Sequence, residues 1–335
     1  MTMLEVNDLT VTYRYGAVDL PAVRNATFAV DGGEILGIAG ESGSGKSTLA
    51  LSLVRLLPKD ATISGQVVFN GEDLTDASWG RLRAVRWAEA SMVFQGAMNA
   101  LNPVRTIGEQ IAEPIRVHER LSDRATRERV AELLDSVGVA ARRRGSYPHE
   151  LSGGQRQRVM IAMALACRPH LIIADEPTTA LDVMVQAQIL GLLTDLVSAA
   201  GIAVIMISHD LALLSEECDR LSVMYAGRLV ESGPAAEVFG SPQHPYTQAL
   251  AQAFPRVGDP ASRRNPASLR GEPPPIGSVT HGCSFVPRCE FVQPECHRHD
   301  MELWPCGTDR VAACLRVLPD GGASLAPVAE ASDDS

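Results

Sequence analysis

An apolar, strand-like run from Glu34 to Ala39 passes without a break into Gly40-Glu41-Ser42-Gly43-Ser44-Gly45-Lys46-Ser47-Thr48. The residues from Lys46 to Leu57 then read as a helix that Pro58 ends. Strand, glycine loop and helix in that order call for a parallel α/β sheet with its ligand at the carboxyl end of the strand. The glycines let successive backbone N–H groups turn toward one anion, and the helix adds its positive N-terminal end. Within this cradle, Lys46 supplies a point charge to the β and γ phosphates and the Ser47 hydroxyl suits Mg²⁺. Ser42, Gly43, Ser44, Gly45 and Thr48 complete it. A glycine turn without a ligand is the alternative, but the pattern is complete and correctly placed. The loop itself does not separate ATP from GTP.

A second group of polar residues follows apolar runs of the same buried, parallel-strand style. Asp175 and Glu176 come directly after Leu171 to Ala174, so both carboxylates should emerge at a strand's carboxyl end. Asp175 can hold Mg²⁺ through water, and Glu176 is placed to polarise an attacking water. An N-cap pair for the next helix is the structural alternative. Gln95 ends the strand-like Ser91 to Phe94 and can report the γ-phosphate and metal to the helical sequence that follows. His209 follows the run Ala203 to Ile207. A lone histidine or glutamine is more often structural or surface filler; their places between the other motifs argue otherwise.

Composition narrows the function class. A net charge of −10 argues against nucleic acid as a partner, because backbone binding needs clustered positive charge. No stretch of about 18 apolar residues lacks a charge, so no bilayer-spanning helix is expected. The N-terminus shows no basic-then-apolar signal pattern, and the chain reads as cytosolic. Residues 3–13 and 22–30 read as strands, Ser122 to Val137 as a helix within an inserted helical subdomain, and Val183 to Ala199 as another helix. Pro and Gly thicken from Gly258 to Gly282, including Pro273-Pro274-Pro275, which marks a linker. The expected layout is a nucleotide-binding unit at 1–240 with its helical part at about 96–160, an extension at 241–320, and a disordered tail at 321–335.

Leu151-Ser152-Gly153-Gly154-Gln155, placed ahead of the acidic strand end, is the most specific motif. With the glycine loop, Gln95, Leu171 to Glu176 and His209 in that order, the chain resembles the ATP-binding cassette (ABC) family from residue 1 to about 240. The resemblance implies an α/β fold with a RecA-like core, an antiparallel β subdomain and a helical subdomain. It implies that ATP and Mg²⁺ bind, with Ser47, Gln95 and Asp175 around the metal and Glu176, His209 and Gln95 taking part in hydrolysis. His209 would contact the γ-phosphate. Ser152, Gly153, Gly154 and Gln155 would cap a nucleotide held by a partner cassette, and Asp182 would lie in the loop facing that partner. A single cassette therefore implies a head-to-tail pair with itself or a homologue. Tyr13 is the candidate to stack on adenine, with Tyr15 second; either could be an ordinary strand tyrosine.

Three further segments resemble the oligopeptide/dipeptide importer branch: Glu176 to Leu190, with Met184 where threonine is usual; Gly96 to Val104; and His244-Pro245-Tyr246-Thr247 followed by Gly271-Glu272 and a cysteine module. That branch implies two membrane-spanning permease subunits, an extracytoplasmic substrate-binding protein, and a place on the cytoplasmic face of the membrane. Relatives carry peptides, nickel chelates and other solutes. A soluble ABC protein of DNA repair or translation is the rival reading; the single cassette, acidic balance and family-like tail count against it.

Cys283, Cys289, Cys296, Cys306 and Cys314 crowd into 32 residues. In a reducing compartment this reads as a metal or cluster site before it reads as disulfides. No Cys-x-x-Cys pair exists, which disfavours a zinc ribbon. Spacing alone leaves iron–sulfur, zinc and free thiols open. The family resemblance implies a 4Fe–4S cluster on Cys283, Cys289, Cys296 and Cys314, with Cys306 spare.

Overall fold

The computed structural model describes residues 1–94, 96, 100–178, 183–253, 269, 271–279 and 281–319. Gln95, Asp182 and the tail expected at 321–335 lie outside them. Two sheets organise the chain. The first is antiparallel, in the order β2-β1-β4-β5, from β1 (Thr2–Tyr15), β2 (Val18–Asp31), β4 (Ala61–Phe69) and β5 (Glu72–Asp73). Among the described residues the second has eight strands, in which β11 (Trp304–Gly307), β12 (Arg310–Ala312) and β10 (Arg228–Pro234) precede β9, β3, β8, β7 and β6 in that order. Its middle is parallel: β3 (Ile35–Ala39) pairs with β8 (Ala203–Ser208) and β9 (Arg220–Tyr225), and β7 (Leu171–Asp175) joins β8 to β6 (Ala90–Val93). Every residue of β3, β6, β7 and β8 is buried. Strands covered on both faces need such unbroken apolar runs.

The antiparallel sheet packs over the parallel one, with Leu4, Val6, Val23, Leu36, Ile38, Leu49 and Ile205 in one core. On the opposite face a second core joins Ile172 and Val204 to the helices Ile107–His118, Asp123–Ser136 and Gly153–Ala164. The helix Asp123–Ser136 begins where its sequence says it should. The Ser122 hydroxyl accepts from the Ala125 N–H at 3.2 Å, satisfying one free donor of the first turn.

The helix after the glycine loop departs from expectation. It spans Lys46–Leu53 and stops short of Pro58. Arg55 takes φ +51, and the Leu56 N–H reaches back to the Leu51 carbonyl at 2.8 Å. This left-handed cap ends the helix on backbone hydrogen bonds before the proline can.

The C-terminal extension continues the main sheet. β12 (Arg310–Ala312) pairs antiparallel with β10 (Arg228–Pro234), and β11 (Trp304–Gly307) pairs with β12. Arg310 and Glu231 form a buried ion pair across β12 and β10, with Nη2 to Oε1 at 2.7 Å. Tyr246, at the start of the helix Pro245–Ala253, and Phe285 belong to the same core as the helical subdomain. The described part of the expected linker is largely exposed, but Pro274, Pro275 and Gly277 line a pocket with Pro21 and Gly43.

Candidate functional site

The register of the parallel strands gathers the polar residues. Ala39 is level with Ser208, and Asp175 with Ile207, so Gly40, Glu176 and His209 leave the sheet at one edge. Gly40 and Gly45 are sterically required there. At Gly45 (φ +104) a Cβ would lie 2.4 Å from the Ala22 carbonyl oxygen, and at Gly40 it would lie 2.2 Å from that of Met224. Lys46, 5% exposed, donates to the carbonyls of Gly40 at 2.7 Å and Glu41 at 2.8 Å. Burial lowers its pKa, against the pull of Glu176 and Asp175.

Asp175 is buried and its pKa is raised, chiefly by desolvation; a hydrogen bond from Ser47 acts in the opposite sense. Its Oδ1 has no hydrogen-bond partner among the described residues. A buried carboxylate oxygen left unpaired beside a serine hydroxyl suits a divalent cation, so Ser47 and Asp175 fit Mg²⁺. Glu176 has φ +44, and its N–H is held by the Ile207 carbonyl at 2.9 Å. Its Oε1 lies 3.7 Å from His209 Nδ1. The interaction with Glu176 raises the His209 pKa although burial opposes it.

Tyr13 and Tyr15 separate clearly. The Tyr13 hydroxyl meets the Thr48 hydroxyl at 3.3 Å, which holds the ring beside the loop helix, whereas Tyr15 is 81% exposed. Ser42 and Gly43 are exposed and Ser44 is buried. Ser152 caps the helix Gly153–Ala164 in a reciprocal box: the Gln155 N–H donates to Ser152 Oγ at 3.3 Å, and the Ser152 N–H donates to Gln155 Oε1 at 3.2 Å. Ser152 itself is exposed, so this helix start is open to a ligand from outside the chain. Gly154 packs under Val185, whose Cγ1 would be 3.0 Å from a Cβ there.

Cys283, Cys289, Cys296 and Cys314 line one cavity together with Phe285, Phe291 and Met301. Cys306 is elsewhere, on β11, where its charged neighbours are Arg310 and Glu231. Desolvation raises the pKa of three of these thiols, Cys283 to about 12 and Cys289 and Cys314 in the same direction. The backbone at Phe285, Phe291 and Arg316 offers hydrogen bonds to Cys283, Cys289 and Cys314. Among the described residues, no group of three or more His, Cys, Asp or Glu side chains is gathered so as to hold a metal ion. The thiols ring a cavity rather than converge on one point.

The sequence reading gave Glu41 no role within the loop and missed Tyr246 and Arg288 as its neighbours. The Glu41 N–H donates to the Tyr246 hydroxyl at 2.9 Å, and the Glu41 carboxylate pairs with Arg288 at 2.6 Å. Only the family-like His244-Pro245-Tyr246 run drew notice to that region, and nothing in it points to the loop.

Residues 23–179 match the ABC transporter family, and residues 230–296 match the oligopeptide/dipeptide transporter C-terminal region. The chain is 43% identical to a peptide import ATP-binding protein of Brucella ovis, over 94% of this chain and 97% of that one. It is 46% identical to a peptide ABC transporter ATP-binding protein of Sinorhizobium fredii, over 94% and 95%. Among solved structures it resembles a dimeric ATP-binding cassette bound to ADP and Pi, with TM-score 0.63 and 31% identity over 70% of this chain and 99% of that one. It also resembles a cassette of a Clostridium perfringens ABC transporter complex, with TM-score 0.62 and 30% identity over 72% and 91%. Among the described residues no helix is long and apolar enough to cross a membrane.

Proposed function

This chain belongs to the ATP-binding subunits of ABC transporters, and on that premise we propose that it powers import of di- or oligopeptides across the cytoplasmic membrane. It has the ABC ATPase fold, and its ATP hydrolysis is coupled to transport. The reading rests on one conjunction: the phosphate loop, Asp175, Glu176 and His209 share one sheet edge in a chain that carries the peptide-transporter C-terminal region. Gly40 to Thr48 hold the triphosphate, Tyr13 stacks on the base, and Ser47 and Asp175 hold Mg²⁺ with Gln95. Glu176 polarises the attacking water, and His209, held near its carboxylate, contacts the γ-phosphate. Ser152 to Gln155 present an exposed helix start to the nucleotide of a partner cassette, and the family resemblance assigns Asp182, outside the described residues, to the contact with that partner.

With this chain at the cytoplasmic face, two membrane-spanning permease subunits and an extracytoplasmic binding protein complete the assembly. In vesicles carrying that assembly, uptake of labelled peptide should require ATP and cease with Lys46→Ala. ATP turnover stimulated by a nickel chelate and indifferent to peptides would reassign the solute.

We propose that Cys283, Cys289, Cys296 and Cys314, which line one cavity, are the ligands of a 4Fe–4S cluster that would have to draw the four thiols together. Partly buried thiols whose pKa is raised, as those of Cys283, Cys289 and Cys314 are, become thiolates when a cationic group compensates them, and backbone N–H donors then serve the sulfurs. Such a group would supply folding energy to a segment with a very small core of its own, Met301, Ala313 and Leu315. Protein purified without oxygen should carry about four irons per chain. Cys296→Ser should lose them and Cys306→Ser should keep them; one zinc per chain would overturn the cluster.

A further inference from the structure

We propose that Arg288 is a positioning residue for the nucleotide site, acting through Glu41. The inference rests on the assignment of Gly40 to Thr48 as the ATP site. Glu41, the second residue of that loop, is held at each of its polar groups. Its carboxylate receives both terminal nitrogens of Arg288, Nη1 to Oε2 at 2.6 Å and Nη2 to Oε1 at 3.1 Å. Its N–H donates to the Tyr246 hydroxyl, and its carbonyl accepts from Lys46 Nζ at 2.8 Å and from the Ser44 N–H at 3.2 Å. The residue that positions Lys46 is thus fixed by two side chains of the C-terminal extension, one of them 247 residues away in sequence.

The anchor is rigid. The Arg288 side chain is 3% exposed, its guanidinium lies 5.7 Å from the Tyr225 ring centroid and 5.9 Å from that of Phe285, and Nη1 also donates to the Tyr225 hydroxyl at 3.3 Å. Tyr225, Tyr246 and Phe285 pack on one another with centroids 4.5 to 5.5 Å apart. A bidentate arginine–carboxylate pair fixes direction as well as distance. Arg288 closes the short turn Val286–Arg288, which Cys283 and Cys289 bracket in sequence. The cavity that gathers those thiols therefore adjoins the segment that holds the loop.

Losing the guanidinium frees the loop and leaves a carboxylate unpaired beside the triphosphate and Lys46. Couplings between sites typically change affinity by about 5- to 150-fold, so Arg288→Met in the full chain should weaken binding of a fluorescent ATP analogue about tenfold. In the assembled transporter it should raise KM for ATP and keep kcat within about twofold, because the pair touches no reacting atom. Tyr246→Phe, which removes one hydroxyl and conserves the packing, should give a smaller rise and keeps the test open if Arg288→Met folds poorly. Glu41→Gln supplies the decisive arm: in that background Arg288→Met should cost little further affinity, since the charge it would strand is gone. Unchanged affinity in both Arg288→Met and Tyr246→Phe, with only a lower melting temperature, would refute the positioning role. So would full additivity with Glu41→Gln. Lys46→Ala, expected to lose binding, keeps the two readings apart: if it binds normally, the site assignment itself fails.

Discussion

Arg310→Met tests how the C-terminal extension is fastened to the main sheet. Glu231 is 0% exposed, and its carboxylate receives Arg310 Nη2 at 2.7 Å and the N–H groups of Gln243 and His244 at 2.9 and 2.8 Å. Methionine fills much of the space of the arginine stem but strands a buried negative charge. Breaking one side of a buried pair costs about 3–5 kcal/mol. The two backbone donors that remain hold the loss near the lower end, about 3 kcal/mol. For a chain this size each kcal/mol lowers Tm by about 1.4 °C, so a fall of roughly 4 °C is expected in thermal unfolding. Adding Glu231→Gln removes the stranded charge while an amide oxygen can still accept a backbone N–H, so the double variant should recover part of the loss. A fall below about 2 °C in Arg310→Met, or no recovery in the double variant, would refute the reasoning.

His244 gives a pH signature. Burial pushes its pKa down to about 3, and its Nδ1 accepts from the Tyr246 N–H at 3.0 Å. The unfolded chain takes up a proton near pH 6.5 that the folded chain refuses, so stability is full above that pH and is lost progressively toward about pH 3. Between pH 7 and pH 5 the loss should be about 2 kcal/mol in denaturant unfolding, and His244→Asn, which keeps an acceptor, should remove this component; parallel profiles would contradict the burial argument. Gly45→Ala should abolish nucleotide binding through its 2.4 Å clash with the Ala22 carbonyl. Gly71→Ala, at a similar positive φ but with nothing within 4 Å, should bind normally, and equal behaviour of the two would rule out close packing as the cause.

Much of the site was legible because its chemistry is local in sequence. Unbroken apolar runs identify β3, β7 and β8, and the polar residues at their ends fall at one edge once those strands pair in parallel. Ser122 marks its helix start because an N-cap signal needs only neighbouring residues. Signals of longer range were not legible. Arg55 takes a left-handed conformation with no glycine to announce it, so the helix ends earlier than Pro58 suggests. β11 and β12 span only Trp304–Gly307 and Arg310–Ala312, too short to show alternation, and their pairing with β10 depends on a buried pair from distant segments. Cys306 sits apart from the other four cysteines because it lies on β11, which spacing anticipates only as a leftover.

The most direct test of the account is Glu176→Gln, because every element of the site converges on hydrolysis at that carboxylate. Glutamine keeps the shape and the backbone bond to Ile207 but cannot polarise water. Phosphate release from the assembled transporter, with the partner cassette's own site inactivated, should fall about 10²–10⁴-fold while ATP binding stays at the wild-type level. Turnover near that of the wild type would place the water-activating group elsewhere and contradict the mechanism.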